Sequence, residues 1–468
     1  MKSPAKYLKT NFIDRDKLYE LAFGKEPDDS TVDNVLNKAL KLKGLDLKEA
    51  SVLLQIKKPH QLKKLLQTAN IVKQQIYGNR LVLFAPLYIG NQCSNNCLYC
   101  AFRRDNKTLK RANLTIPQIE QEVKTLLEQG HKRLLMLCGE TEELPFDYFL
   151  EAIRTAYRVR VGNSYIRRIN VEIAPVEVED FARLKAEKIG TYVCFQETYD
   201  PELYKKYHPS GKKADYEYRL FAMDRAMLGG IDDVGIGALF GLADYRFEVL
   251  ALMEHAGHLE KVFGCGCHTV SVPRIEPAEG APLSRNVPYP VSDEDFKKLV
   301  AVIRVSLPYT GIILSTRESE ALRTELFHYG VSQISAGSRT NPGAYSSHDN
   351  TNTGSQFSLG DHRSLDEVIS ALIDDEYIPS FCTGCYRKGR VGQDFMDLAK
   401  PGLIKQFCFP NAVFTFKEYL DDYASPETKA KGYQLIEKLL NQAENKTLRS
   451  RMEEVLSRIG NGERDVYF

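Results

Sequence analysis

Three cysteines, Cys93, Cys97 and Cys100, lie within eight residues of one another, with Tyr99 just before the last. Thiolates are the soft ligands that iron–sulfur clusters need, and a [4Fe–4S] cluster has four irons to bind. Three thiolates on one loop would leave the fourth iron open to a substrate or cofactor. The alternatives are three unrelated buried cysteines or a zinc site, which usually shows paired C-x2-C units or histidines. The spacing favours the cluster.

A second group of cysteines stands near the end of the chain. Cys382 and Cys385 are separated by two residues, and Cys408 follows after 22 more. A zinc knuckle would need a fourth ligand, and His362 is not at knuckle spacing. A redox C-x-x-C pair normally accompanies a thioredoxin-like βαβ pattern, which this part of the sequence lacks. Neither alternative suits these three residues well.

The remaining pattern shows how such residues could be positioned. Short apolar runs alternate with amphipathic helical segments, which predicts a parallel sheet and most simply a closed (β/α)8 TIM-type barrel over residues 81–338. An open doubly wound sheet is the alternative. Residues 1–80 are predicted to form a helical extension, and residues 339–468 a C-terminal domain of loop and helix. The eight predicted strands are Leu81–Ile89, Arg133–Leu137, Asn170–Ala174, Thr191–Phe195, Asp233–Phe240, His268–Val272, Gly311–Ser315 and Val331–Ser335.

Composition narrows the class of protein. The chain has 468 residues, a net charge of +1 and 43% hydrophobic residues, which favours a large core and gives no reason to expect nucleic acid or an acidic membrane surface as a partner. No apolar stretch reaches the ~20 residues of a membrane span, and the first 25 residues do not resemble a signal peptide. A cytoplasmic location is expected, where ten cysteines are not expected to form disulfides.

The first cysteine group follows the first predicted strand, at the barrel end where active sites lie. Its C-x3-C-x2-C spacing, with the aromatic Tyr99, resembles the signature of the radical S-adenosylmethionine (SAM) superfamily. That resemblance implies that the open iron chelates the amino and carboxylate groups of SAM. It also implies that one electron cleaves SAM to methionine and a 5′-deoxyadenosyl radical.

Four further residues match positions that contact SAM in this superfamily. Gly139 and Glu140 resemble a Gly-Gly-Glu-like motif whose first glycine is here Cys138; a simple strand-end turn is the alternative. Glu197 and Arg219 resemble an acid and an arginine that contact the polar groups of SAM. A guanidinium can bind a carboxylate bidentately, although Arg219 could also be an exposed helix charge.

Both cysteine motifs together resemble one family, the HydG maturases of [FeFe]-hydrogenase. The other matching segments are Gln196–Tyr199, His208–Gly211, Val272–Arg274 and Ser335–Arg339. The related tyrosine lyase ThiH of thiamin synthesis shares the barrel motifs but lacks the C-terminal cysteines. A ThiH-like 2-iminoacetate synthase and a non-catalytic iron–sulfur carrier are therefore the alternatives.

The resemblance to HydG implies a specific chemistry. SAM and its cluster would initiate cleavage of the Cα–Cβ bond of L-tyrosine to p-cresol and dehydroglycine, which yields CO and cyanide. These would be assembled on an additional iron of an auxiliary [4Fe–4S] cluster held by Cys382, Cys385 and Cys408, as a precursor of the hydrogenase H-cluster. The implied partners are reduced ferredoxin or flavodoxin as electron donor and other hydrogenase maturases.

His268 resembles the family's ligand to the additional iron. It begins a predicted strand, whereas Cys93–Cys100 follows the end of one. In a parallel barrel these positions lie at opposite mouths, so the auxiliary cluster is expected at the lower mouth, with the barrel interior as a route for the small fragment.

The carboxylate of tyrosine needs a cation inside the barrel. Arg323 resembles the family's candidate, with an exposed helix arginine as the alternative. Ser335, at the end of the eighth predicted strand, is a second candidate, and Ser338 and Arg339 are weaker ones.

Overall fold

The computed structural model describes residues 11–347, 353–400, 402–443 and 445–468. Eight parallel strands form a closed barrel, because β1 pairs on one side with β8 (Val82 opposite Gln333) and on the other with β2 (Ala85 opposite Leu134). The predicted (β/α)8 barrel is thereby confirmed. The strands are β1 Arg80–Gly90, β2 Arg133–Cys138, β3 Arg168–Glu172, β4 Tyr192–Glu197, β5 Val234–Ala238, β6 Thr269–Ser271, β7 Gly311–Leu314 and β8 Gln333–Ser335.

Helices between the strands cover the outside of the barrel. α5 shows why they form: Thr115 and Gln118 make a capping box at its start, and Ile119, Val123 and Leu126 repeat at helical spacing on its buried face. These helices are α5 Ile116–Glu128, α6 Phe146–Arg158, α7 Val178–Ala186, α8 Pro201–Tyr207, α9 Tyr216–Leu220, α10 Ala222–Leu228, α11 Tyr245–Phe263, α12 Pro282–Arg285, α13 Asp293–Ser306 and α14 Glu320–Tyr329.

Four helices precede the barrel: α1 Arg15–Ala22, α2 Asp29–Ala39, α3 Leu47–Leu54 and α4 Pro59–Tyr77. α1 packs on α11, α3 on α11 and α13, and α4 on α13 and α14. Asp28 caps α2 by accepting a hydrogen bond from the Thr31 backbone N–H at 2.7 Å. The extension thus adds a helical layer along one side of the barrel.

The C-terminal part contains one strand that the sequence analysis missed. β9, Ile378–Ser380, pairs in parallel with the start of β1, with Arg80 opposite Ile378 and Val82 opposite Ser380. A three-residue strand containing Pro379 is too short to show a periodicity. The helices are α15 Leu365–Asp374, α16 Gly384–Arg387, α17 Gly392–Ala399, α18 Lys405–Asp422, α19 Pro426–Gln442 and α20 Lys446–Gly460.

The part of the chain that follows the barrel is therefore mostly helical. Within the described ranges, every helix is too short or too polar to cross a lipid bilayer.

Candidate active sites at the two mouths of the barrel

The first cysteine group forms a loop at the upper mouth, directly after β1. The side-chain amide of Asn95 lies 3.7 Å from Cys93 Sγ, and that of Gln356 lies 3.8 Å from Cys100 Sγ. Burial raises the pKa of the Cys100 thiol to about 12, and the charges of Cys97 and Cys93 add to the effect. Three converging thiols that repel one another once ionised, with amide donors beside them, suit a cationic iron–sulfur core, whose binding would displace their protons.

Gly139 and Glu140 lie against this cysteine loop. A Cβ at Gly139 would come within 2.2 Å of the Gln92 carbonyl oxygen, so only glycine permits this approach. The Glu140 carboxylate accepts a hydrogen bond of 2.6 Å from the Asn95 side chain, and its backbone oxygen accepts one of 2.7 Å from Ser94 N. Both residues line an open cavity of about 710 Å³, which has room for a ligand the size of SAM.

Glu197 and Arg219 meet at the end of β4, together with a lysine that the sequence analysis missed. Lys213 Nζ donates to Glu197 Oε1 at 2.5 Å, and Arg219 Nη2 lies 3.9 Å from the same oxygen. Burial alone would raise the pKa of Glu197, but these two cations hold it below its ordinary value. Their charges also act on Cys97, which places the cluster loop and this charged group at one site.

The backbone at this point is strained. Glu197 has φ +71°, in the left-handed region that non-glycine residues rarely adopt, and the pairing with β5 shifts register here. Arg219, in the last turn of the short helix α9, fastens the bend by donating from Nε to the Phe195 carbonyl at 2.6 Å.

A small cavity of about 90 Å³ lies inside the barrel. Its lining includes the polar residues Tyr88, Glu172, Arg317, Ser335 and Ser338. Burial raises the pKa of Glu172 to about 7, with a further contribution from the charge of Glu197. The cavity therefore offers a guanidinium, a carboxyl group and hydroxyls in a small space.

Arg323 lies elsewhere, contrary to expectation. It is fully buried, paired with Asp361, and donates from Nη2 to the Ser335 carbonyl at 2.5 Å. Among the described residues, Arg317 has no ion pair and faces the cavity that Arg323 was expected to serve. The cavity is therefore lined by Arg317, and Arg323 is held in an internal ion pair.

The second cysteine group lies at the lower mouth. Cys382, Cys385, Cys408 and His268 line one small cavity, together with residues from the starts of several strands, such as Arg80 and Gly311. β9 leads directly to Cys382, α16 carries Cys385 and α18 carries Cys408. The structure thus brings together all four residues, which are distant in sequence.

One of the three thiols at the lower mouth ionises more readily than the others. A hydrogen bond from Cys385 lowers the pKa of Cys408, and the charges of Arg80 and Arg390 contribute. The same hydrogen bond raises the pKa of Cys385, and burial raises that of Cys382. The buried Nε atoms of Arg80 and Arg390 have no hydrogen-bond partner among the described residues. Cationic side chains around three thiols fit an anionic thiolate-bound cluster.

Over the described ranges, no group of three histidine, cysteine or acidic side chains is placed as the ligands of a single metal ion would be.

His268 immediately precedes β6, and its Nε2 is hydrogen-bonded to the Tyr386 hydroxyl at 3.0 Å. Its Nδ1 lies 3.5 Å from Asp233 Oδ1. Tyr386 was not predicted as a site residue, because nothing in the sequence distinguishes it from other tyrosines.

Three other cysteines, Cys194, Cys265 and Cys267, are buried. Cys194 is buried in β4 and Cys267 is buried just before His268. Cys265 packs in an apolar cluster with Cys408 and Phe395.

The comparisons with known proteins agree with this geometry. Residues 87–256 match the Radical SAM superfamily, and residues 271–378 match the Biotin and Thiamin Synthesis associated domain. The 2-iminoacetate synthase of Salmonella typhimurium is 34% identical over 316 residues, which cover 66% of this chain and 80% of that protein.

Two solved structures match almost the whole chain. A crystal structure of HydG, a maturase of the [FeFe]-hydrogenase, is 47% identical, with a TM-score of 0.95, and the match covers 98% of this chain and 100% of that one. The FeFe-hydrogenase maturase HydG from Carboxydothermus hydrogenoformans is 41% identical, with a TM-score of 0.83 over 97% of this chain and 100% of that one.

The barrel, the cysteine loop at its upper mouth and the superfamily match define a radical SAM enzyme, which uses a [4Fe–4S] cluster and SAM. Within that class the similarity extends through the C-terminal cysteines. The chain belongs to the HydG family of [FeFe]-hydrogenase maturases.

Proposed function

We propose that this protein cleaves the Cα–Cβ bond of L-tyrosine to p-cresol and dehydroglycine, and converts the fragment to CO and cyanide for an iron–carbonyl–cyanide precursor of the H-cluster. The observation that carries the proposal is the presence of two thiol sites at opposite mouths of one barrel, with cavities between them. When bound, SAM and its cluster supply the one-electron cleavage that starts the reaction, and an auxiliary [4Fe–4S] cluster supplies an additional iron.

The upper residues have positioning roles in this proposal. Cys93, Cys97 and Cys100 hold the first cluster. Glu140 and the pair formed by Glu197 and Arg219 orient the polar groups of SAM, since a carboxylate and a guanidinium complement its ammonium and carboxylate.

The interior cavity suits a zwitterionic amino acid. Arg317 is assigned to the tyrosine carboxylate, since it is the cation that faces the cavity without an ion pair among the described residues. Ser335 supplies a hydroxyl beside it. Glu172, whose pKa is near 7, can accept a proton or pair with the amino group.

The interior cavity and the lower cavity lie close together along the strands. On β1, Val82 lines the lower cavity and Phe84 the interior one, and on β8 the corresponding residues are Gln333 and Ser335. Residues two apart on a strand differ in height by about 7 Å, so the cavities are stacked one layer apart. This arrangement supports transfer of a small fragment through the barrel.

At the lower mouth, Cys382, Cys385 and Cys408 are assigned to the auxiliary cluster and His268 to the additional iron. An iron bound at Nε2 of His268 would replace its hydrogen bond to Tyr386. Electrons would come from reduced ferredoxin or flavodoxin, and the product would pass to other hydrogenase maturases.

The experiment is to supply reconstituted protein with SAM, dithionite and L-tyrosine and to measure p-cresol, and CO with a haem-protein trap. We expect both products. The 34% identity to a 2-iminoacetate synthase favours one second candidate, a lyase that releases its fragment. p-Cresol without CO would support that candidate, and no p-cresol would reject both.

A further inference from the structure

Residues 101–111, here called the basic loop, follow directly on Cys100 and carry five arginines and lysines against one acid, Asp105. Over the whole chain, 63 basic residues nearly balance 62 acidic ones, so this local excess is not a reflection of the composition. The loop adjoins the cluster cysteines, and the catalytic roles assigned above make no use of it.

Two of the five cations fasten the loop from within. Arg111 donates from Nη1 to the carbonyls of Asn91 at 2.7 Å and Phe102 at 2.8 Å, and from Nη2 to that of Arg103 at 2.7 Å. Arg103 in turn donates from Nε to Asn96 Oδ1 at 2.9 Å, within the cysteine loop. The backbone of the basic loop is therefore fixed to the backbone that holds the cluster ligands.

The other three cations, Arg104, Lys107 and Lys110, are exposed. The backbone N–H of Arg104 donates to the Asn95 carbonyl at 2.7 Å, so this residue lies one hydrogen bond from the segment between Cys93 and Cys97. Arg104 pairs with the adjacent Asp105 at 3.3 Å, whereas Lys107 and Lys110 have no ion pair in the described parts of the chain. Unpaired charge on a rigid support is available to a partner.

We propose that the basic loop is the docking surface for an acidic one-electron carrier protein, which reduces the adjacent cluster. The inference rests on the proposed function, since reductive cleavage of SAM is what requires the electron. For each SAM, the carrier loses one electron, the S–C5′ bond breaks, and methionine and a 5′-deoxyadenosyl fragment result. A positive surface beside the cluster attracts a negative carrier and orients it with a short path for the electron.

The test compares two charge-reversal variants of the reconstituted full chain. Lys107→Glu with Lys110→Glu alters the basic loop. Lys41→Glu with Lys43→Glu makes the same charge change at exposed residues between α2 and α3, beside the cavity that Cys265 lines at the lower mouth. The initial rate of 5′-deoxyadenosine formation is measured with a subsaturating, acidic, reduced [4Fe–4S] ferredoxin and, separately, with dithionite, at low and high salt.

At low salt we expect the ferredoxin-driven rate of the basic-loop variant to fall roughly tenfold, and the gap to narrow as salt screens the charges. The ferredoxin-driven rate of the neutral variant, Lys107→Gln with Lys110→Gln, should fall by less. The dithionite-driven rates of all variants, and the ferredoxin-driven rate of the control, should match the unmodified protein.

Equal ferredoxin-driven rates in the basic-loop and control variants would overturn the proposal. So would a parallel loss of the dithionite-driven rate, because the two lysines would then serve the cluster and not the carrier. If the unmodified protein makes no 5′-deoxyadenosine with dithionite, the proposed function fails. Even in that case, the docking surface can be tested separately. Calorimetry of ferredoxin binding to both variants, at low and high salt, shows whether the basic loop binds the carrier.

Discussion

The two mouths of the barrel are built in different ways. At the upper mouth, all three cysteines come from one eight-residue segment, and a cavity of about 710 Å³ lies open beside Glu140. At the lower mouth, the three cysteines and His268 come from the segment after β9, from α16, from α18 and from the residue before β6, and they line a cavity of about 60 Å³. The upper site has room for a large cofactor, whereas the lower site admits small species. This difference in construction is what the proposed separation of a cleavage step from an assembly step requires of one barrel.

The strongest test of this separation is Cys93→Ala. Loss of one of three ligands to the upper cluster should abolish SAM cleavage and p-cresol formation. Liquid chromatography measures 5′-deoxyadenosine from SAM cleavage and p-cresol from tyrosine, and iron analysis should still find the auxiliary cluster. Full turnover by this variant would refute the upper site.

The reciprocal change is Cys382→Ala with Cys385→Ala. p-Cresol should still form, while CO should fall to background and iron content should drop by about one cubane per chain, because one cysteine holds a cluster poorly. Thermal unfolding provides the control. Parallel loss of p-cresol and CO in a variant that melts early would mean that these cysteines stabilise the fold.

A third change probes the space between the mouths. Arg317→Gln should raise the KM for tyrosine by roughly 10- to 100-fold, the scale of a lost charge-assisted hydrogen bond, and leave SAM binding unchanged. Arg323→Gln is the matched control: it removes one of the two arginines that pair with Asp361, while Arg363 stays 2.7 Å from that carboxylate. The loss of stability should therefore be smaller than the about 3–5 kcal/mol of a buried charge left unpaired, and the folded fraction should keep its KM. A raised KM for tyrosine in Arg323→Gln, with an unchanged KM in Arg317→Gln, would show that Arg323 binds the carboxylate.

The smallest expected effect concerns Glu248, which is fully buried on α11 and accepts a hydrogen bond of 3.0 Å from Tyr199 N, two residues after Glu197. Burial raises its pKa to about 8. The folded state therefore holds this proton more tightly than the unfolded state, and the contribution is lost as pH rises from about 4.5 to about 8.

Glu248→Gln should flatten the decline in the free energy of unfolding over this pH range, as measured by urea denaturation at pH 5, 6, 7 and 8. An unchanged pH dependence would show that Glu248 is ionised in the folded protein.

The sequence was informative wherever a single segment carried the signal. The spacing of the first cysteine group and the alternation of strands and helices predicted the upper site and the barrel. The position of His268 before a strand also predicted that it and Cys93–Cys100 lie at opposite mouths, as the structure places them.

The sequence carried no signal where position depends on tertiary packing. Arg317 and Arg323 both follow β7, but α14 begins only at Glu320. Arg317 therefore remains in the strand-end loop and lines the interior cavity, while Arg323 lies on the helix and pairs with Asp361. Lys213 reaches Glu197 because the segment after α8 folds back on the cysteine loop, with Lys213 N donating to Asn95 Oδ1 at 2.9 Å. No local pattern encodes such a return.

The pairing of β9 with β1 also sets an order of events during synthesis. β1 ends at Gly90 and β9 begins at Ile378, so nearly 300 residues must be translated before the two strands can meet. At a translation rate of about 5–20 residues per second, this takes roughly 15 to 60 seconds. The start of β1 lacks its β9 partner throughout that interval, so the lower mouth is completed after the upper one. Binding of the proposed auxiliary cluster at the lower mouth would therefore be a late event in the biosynthesis of the protein, whereas the segment with Cys93 leaves the ribosome early.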